Sequence, residues 1–326
     1  MTEPVRWGIL STARINRLVL PAMAASELVE LVAVASRDSG RAVEYAREHG
    51  IPRAHGSYEE LLADDDVEAV YVPLPNGLHV DWSVRALEAG KHVLCEKPLD
   101  WRPEQVERAF GVAEREGRIL MEAFMYRHHP QTRRVAELVA SGAIGELRAV
   151  RATFAFTLAD ATNVRLDREL GGGALLDVGC YCVSIARLVA GEPVRVSGTS
   201  VVGATGVDVR FVGTLLFPGQ VLAHFDCGFD MPPQDRAEIV GSKATLVVPS
   251  PFMIDEARLL VVPERGAAEE IDVPDADRFR LELENMSRAI RGAEEPLLSH
   301  ADAVGQARTL AALLRSAADG GAPVAV

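Results

Sequence analysis

What the 326-residue sequence lacks narrows its function before any motif is considered. It contains no run of about 18 uninterrupted apolar residues, the length a membrane-spanning helix needs. The opening Met1-Thr2-Glu3-Pro4-Val5-Arg6-Trp7 has no basic segment followed by an apolar one, so no signal peptide is expected. Cysteine is scarce, and Cys95, Cys180, Cys182 and Cys227 form neither a CxxC pair nor a zinc-ligand spacing. Reduced thiols serving as small apolar side chains are expected, and no metal. Positive charge is also short: 34 basic against 47 acidic side chains give a net charge of −13. That balance repels nucleic acid and anionic membrane over most of the surface, although a few local arginines can still hold an anionic ligand. A soluble, cytoplasmic chain without nucleic-acid or membrane partners is the expectation.

The length is too great for one ordinary core and suits two domains. Short apolar runs at 5–10, 28–36, 69–72, 92–95 and 118–121 alternate with helical patterns at 15–25, 39–49, 79–89 and from Pro103 to Gly117. Ser57-Tyr58-Glu59-Glu60 is a capping box. Strands alternating with helices imply an α/β fold with a doubly wound parallel sheet. After about residue 122 the rhythm changes. Strand-like runs at 147–156, 207–217, 220–229, 237–248 and 258–262, joined by turns such as Pro218-Gly219, favour a large, mostly antiparallel sheet. Helices near 131–140, 277–291 and 301–317 complete an α+β domain. The division read from the pattern is 1–122 and 123–326.

A dinucleotide-binding turn after the first strand normally carries G-x-G-x-x-G, which lets the backbone approach a pyrophosphate. Here the turn reads Ser11-Thr12-Ala13-Arg14-Ile15-Asn16, with all three glycines absent. Taken alone it suits an ordinary strand-to-helix turn equally well. The second strand is more informative, because it ends Ala35-Ser36-Arg37-Asp38. An NAD-preferring fold places an acidic residue there for the ribose hydroxyls. A hydroxyl followed by a guanidinium suits a 2′-phosphate instead, so NADP is expected, with NAD still open through Asp38.

Two further strand ends carry unusual residues: Pro73-Leu74-Pro75-Asn76-Gly77-Leu78-His79 and Glu96-Lys97-Pro98-Leu99. In open α/β sheets the ligand crevice lies beyond the carboxyl ends of the strands. Farther along, Gly171-Gly172-Gly173 precedes Asp177 and Tyr181, which share a helix face if a helix begins near Asp177. A phenol can pass a proton to or from a substrate oxygen while hydride moves at carbon. Its ordinary pKa of about 10 is high for that task, and a nearby ammonium such as Lys97 would lower it. Asp177 as a helix cap and Tyr181 as a core aromatic are the alternatives.

In their joint order these segments resemble the Gfo/Idh/MocA family, named for glucose–fructose oxidoreductase and inositol dehydrogenase. The resemblance covers essentially the whole chain: AVASR at 33–37, PLPNGLH at 73–79, EKPL at 96–99, MEAFMYRHHP at 121–130 and GGGALLDVGCY at 171–181. It implies a Rossmann domain and a C-terminal domain whose open sheet makes oligomer contacts, in a homodimer or homotetramer. Lys97 would be the catalytic and cofactor-orienting lysine, Asp177 a substrate-positioning group and Tyr181 the acid/base. Many members carry His at that last place. Tyr is similar instead to the dihydrodiol dehydrogenase, NADP-dependent aldose dehydrogenase and deoxysugar ketoreductase branches. EAFMYR and Asn163-Val164-Arg165-Leu166-Asp167 resemble the dihydrodiol and aldose dehydrogenases too.

On this resemblance the cofactor would meet Ser11, Thr12, Ala13, Arg14, Ile15, Ser36, Arg37, Pro73, Leu74, Asn76, His79, Glu96, Lys97, Pro98 and Arg165. The substrate, a carbohydrate-like small molecule, would meet Lys97, Arg127, Asp177 and Tyr181. His128 and His129 read as solvated or structural. The expected activity is hydride transfer between NADP and an aldose, polyol, keto-sugar or dihydrodiol. Related chemistries are a nucleotide-sugar ketoreductase, a glycosidase with retained nicotinamide, and a non-catalytic nucleotide sensor.

Overall fold

The computed structural model describes residues 3–326. Met1 and Thr2, part of the opening judged against a signal peptide, lie outside the described residues.

The chain forms two compact units, and the first begins with a six-stranded parallel sheet. Its strands are β1 (Val5–Leu10), β2 (Val29–Ala35), β3 (Arg53–His55), β4 (Ala69–Val72), β5 (His92–Glu96) and β6 (Leu120–Ala123). They lie in the order β3-β2-β1-β4-β5-β6. Trp7 pairs with Leu31 on one side and Ala69 on the other. The order reverses between β1 and β4, and that is where such sheets open a ligand crevice. Every residue of β4 is buried, as expected of a parallel strand covered on both faces. Helices α1 (Asn16–Ala24), α2 (Ser39–His49), α3 (Tyr58–Leu62), α4 (His79–Glu88) and α5 (Pro103–Glu116) connect the strands. Local chemistry fixes their ends. Asp38 caps α2 by accepting from the Arg41 amide at 2.8 Å, and Gly50 closes it at φ 66°. Ser57 caps α3, while the Glu60 carboxylate reaches back to the Gly56 amide at 2.8 Å.

The second unit holds α6 (Pro130–Ala140), β7 (Leu147–Thr157), α7 (Cys180–Ala190) and the whole of a nine-stranded sheet. The other strands are β8 (Arg195–Val202), β9 (Asp208–Leu216), β10 (Leu222–Gly228), β11 (Asp230–Gly241), β12 (Ala244–Val248), β13 (Leu259–Pro263) and β14 (Glu269–Ile271). The pairings are antiparallel except that β10 runs parallel to β7, with Leu222 opposite Ala149. The run 237–248 is two strands and not one. The Ser242 and Lys243 amides donate to the carbonyls of Glu146 and Ile144, and the chain reverses there.

Helix α8 (Arg278–Ile290) belongs to the first unit, which takes back Asp277–Val304 after its opening segment ends at Met125. The expectation of a continuous second domain from 123 to 326 is corrected accordingly. A pattern of helices and strands does not reveal which sheet a late helix packs on. Trp7, fully buried in β1, donates from Nε1 to Ser287 Oγ at 3.3 Å. Arg291 reaches the Glu3 and Pro4 carbonyls at the amino end of the same strand. Helix α8 therefore runs antiparallel to β1, with its N-terminus toward the crevice end of the sheet. Helix α9 (His300–Ala318) and β15 (Val324–Ala325) end the chain, and Gly305–Val326 groups with the second unit. No helix among the described residues is long and apolar enough to cross a membrane.

Candidate active site

The glycine-free turn after β1 is shaped by side chains. Ser11 sits at φ 137°, a conformation that usually calls for glycine. Asn16, fully buried at the start of α1, donates from Nδ2 to the Ser11 carbonyl at 2.9 Å. The Ser11 hydroxyl donates to the Pro73 carbonyl at 3.2 Å and so joins the ends of β1 and β4. Thr12, Ala13 and Ile15 are half-buried and Arg14 is exposed. Beyond β2, Ser36 is 7% exposed and Arg37 lies at the surface. Burial raises the Tyr58 phenol above its ordinary value, against the opposing pull of Arg37 and Arg41, so two guanidiniums face this corner. Asp38, which kept NAD open, turns its carboxylate onto its own helix.

The segment around Lys97 is fastened from several sides. Tyr71 donates to Glu96 Oε1 at 2.6 Å, and the Lys97 amide donates to Glu96 Oε2 at 3.3 Å. The Lys97–Pro98 peptide is cis. His79, with no exposed surface, places Nδ1 2.8 Å from the Pro98 carbonyl and Nε2 2.7 Å from the Leu74 carbonyl. Two acceptors would suit an imidazolium, but burial foremost, and Lys97 with it, hold the pKa below its ordinary value. His79 thus stitches two strand-end loops together, and its ring nitrogens are committed to that task. Glu122, 2% exposed on β6, accepts from the Leu99 amide at 2.7 Å. Asn76 opens the short 3-10 turn that leads into α4.

In the second unit a π-helical turn, Leu175–Gly179, leads directly into α7. The helical run therefore starts two residues before Asp177, and Asp177 lies within the wide turn instead of capping it. Its Oδ2 is 2.6 Å from Arg165 Nε. Tyr181, 6% exposed, stands among three rings: Tyr126, Phe154 and Phe252, with centroids at 5.8, 5.4 and 5.4 Å. Arg127 Nη1 lies 3.4 Å from Ser184 Oγ, which also receives the Tyr126 hydroxyl at 2.7 Å. His128 and His129 are buried, so the solvated reading falls; His129 Nδ1 caps α6 through the Gln131 amide at 3.0 Å. All four cysteines are buried thiols outside any disulfide. No cluster of potential metal ligands occurs among the described residues.

Residues 5–124 match the model of the oxidoreductase family with an NAD-binding Rossmann fold, and residues 132–247 match the GFO/IDH/MocA C-terminal domain. The chain belongs to the Gfo/Idh/MocA oxidoreductase family. It is 43% identical to D-xylose 1-dehydrogenase (NADP(+)) 2 of Haloferax volcanii, over 97% of this chain and 98% of that one. It is 34% identical to trans-1,2-dihydrobenzene-1,2-diol dehydrogenase of Danio rerio, over 91% and 92%. A 3-ketoreductase from Actinomadura kijaniata, solved with NADP and TDP-benzene, superposes with a TM-score of 0.90 at 35% identity, covering 96% and 98%. That ketoreductase has also been solved with a lysine or a tyrosine replaced, at positions 84 residues apart.

Within this Gfo/Idh/MocA protein, several supporting residues escaped the sequence reading. Asn16 and Phe252 carry no motif. Glu282, 2% exposed on α8, could have been found, because it falls on the stripe formed by Phe279, Leu283 and Met286. Burial first, and Glu96 second, push its pKa well above the ordinary carboxylate value.

Proposed function

We propose that the protein is an NADP-dependent dehydrogenase or reductase acting on a CH–OH group of a sugar-like substrate. The carrying observation is the Glu96-Lys97-Pro98 segment at the carboxyl end of β5, held by Tyr71, His79 and Glu122 beside the β1/β4 reversal. The first unit suits the cofactor. Ser36, Arg37 and Arg41 would take the 2′-phosphate, and the Ser11–Ile15 turn the pyrophosphate. Bound there, the nicotinamide supplies or accepts the hydride.

The protein's own part is proton transfer and orientation. Tyr181 would exchange a proton with the reacting oxygen, Lys97 would favour its phenolate, and Asp177 and Arg127 would orient the substrate hydroxyls. The separation of 84 residues between Lys97 and Tyr181 equals that between the two positions replaced in the ketoreductase, which supports treating them as a functional pair. A cytoplasmic setting suits four cysteines held as thiols. The apolar exposure of Val201, Val202, Val212 and Leu222 on the large sheet suits assembly as a homodimer or homotetramer.

The test is absorbance of the reduced nicotinamide with purified protein, NADP or NAD, and a panel of aldoses, polyols and dihydrodiols, run also in reverse with NADPH and keto-sugars. A signal that grows with one compound and prefers NADP is expected. A nucleotide that stays bound through purification, with hydrolysis of a glycoside and no net absorbance change, would overturn the reading.

A further inference from the structure

The helical run that carries Asp177 and Tyr181 starts without any local acceptor for its first amides. Gly171-Gly172-Gly173-Ala174 offers no side-chain oxygen, and no side chain caps the π turn from within its own segment. Unmet amides at a buried helix start are costly, so an acceptor from elsewhere is required. It comes from the first residue of β9. Asp208 Oδ2 accepts from the Leu175 amide at 2.7 Å, and its carboxylate also meets the Ala174 amide. Gly173, at φ 127°, makes the approach possible, since a Cβ there would run into Asp208 Oδ1. Gly172 is similarly confined, against the Arg165 and Asp167 carbonyls. The triple glycine thus reads as a socket for a carboxylate from 33 residues downstream.

The socket sits on the wide turn. A π turn spans one residue more than an α turn and persists where something outside the helix holds it. If it relaxed to α geometry, the residues before it would rotate by about 100° relative to α7, and those within it, Asp177 included, by part of that angle. Asp177 would then leave its present direction with respect to Tyr181. We propose that Asp208 is a positioning residue: from β9 it holds the π turn open and so fixes Asp177 relative to Tyr181. This rests on the reading of Tyr181 as the acid/base.

The test compares D208N, D208A and Y181F, using NADP and the best substrate of the panel above. Asparagine keeps an acceptor oxygen and the shape, so D208N should fold and decide the matter even if D208A does not. D208A is expected to lose about 30-fold in kcat, within the range for a small misplacement of reacting groups. D208N should recover part of that loss, and the KM for NADP should stay within about twofold in both. Hydrogen exchange across residues 174–179 should quicken in the same order. Unchanged kcat in D208N and D208A would overturn the proposal. So would a parallel loss of kcat, NADP affinity and Tm, the signature of general destabilisation. If Y181F itself keeps near-normal turnover, the acid/base reading falls first. If Y181F is inactive while both Asp208 variants are normal, only the positioning role falls.

Discussion

The segment bearing Lys97 and the segment bearing Tyr181 are held by contrasting means. Around Lys97, Tyr71 from β4, His79 from the start of α4 and Glu122 from β6 close short hydrogen bonds onto residues 96–99. Tyr71 and Glu122 sit on the two strands that pair directly with β5 in one parallel sheet. Around Tyr181 the fastening is more remote: a carboxylate from β9 at the helix start and rings from three other segments at the side. The first arrangement is local redundancy, so losing one tie leaves the others. The second takes its helix-start acceptor from a single distant carboxylate.

The largest expected effect separates chemistry from scaffold. K97M should lower kcat/KM by about 10³-fold, within the range for acid–base and electrostatic participation, with Tm nearly unchanged. Turnover within a few-fold of wild type would remove Lys97 from the chemistry and leave its elaborate support without a purpose.

Removing one local tie probes the redundancy. H79A leaves the Pro98 and Leu74 carbonyls without their buried partner, so a loss of about 2–4 kcal/mol in urea unfolding is expected. The KM for NADP should rise about tenfold, while hydrogen exchange across 174–179 stays as in wild type. Exchange that quickens there as strongly as in D208A would dissolve the contrast between the two fastenings. A smaller effect is confined to cofactor choice. R37Q should reduce the preference for NADP over NAD about 10- to 100-fold, the worth of charge-assisted hydrogen bonds to one phosphate, with little change in the NAD reaction itself. An unaltered NADP preference would shift the 2′-phosphate to Arg41.

The same contrast explains what the sequence made legible. Strand ends in a parallel sheet lie side by side, so 73–79 and 96–99 could be placed together from their position after apolar runs alone. The helix cap at Ser57 was equally open, because the acceptor precedes its amides by a few residues, whereas Asp38, read as a ribose acceptor, proves to be a cap of the same kind. Asp208 was not, since its side chain serves amides far back in the chain and nothing in its neighbours marks it. Asp177 and Tyr181 were read as i and i+4 on a regular helix. The π turn between them follows from tertiary demands on the triple glycine, which a helical periodicity does not contain. Helix α8 shows the same limit: its pattern was plain, yet only the Trp7–Ser287 and Arg291 contacts return it to the first unit.

The smallest effect concerns the carboxyl that α8 brings toward the crevice end of the sheet. Glu282 is 2% exposed, its Oε1 has no hydrogen-bond partner, and burial with Glu96 raises its pKa well above the ordinary value. A raised folded-state pKa means that the native protein holds this proton more tightly than the unfolded chain does. Stability from this group is therefore complete below the unfolded value, about 4.3, and is lost as pH climbs through the folded one. Glutamine copies the neutral acid and does not titrate. The Tm of E282Q should match wild type near pH 4 and exceed it as pH rises from there, until the folded-state pKa is passed. A difference that stays flat would mean that the carboxylate is ionised and compensated at neutral pH. Glu96, in the segment that carries Lys97, would then face a second anion.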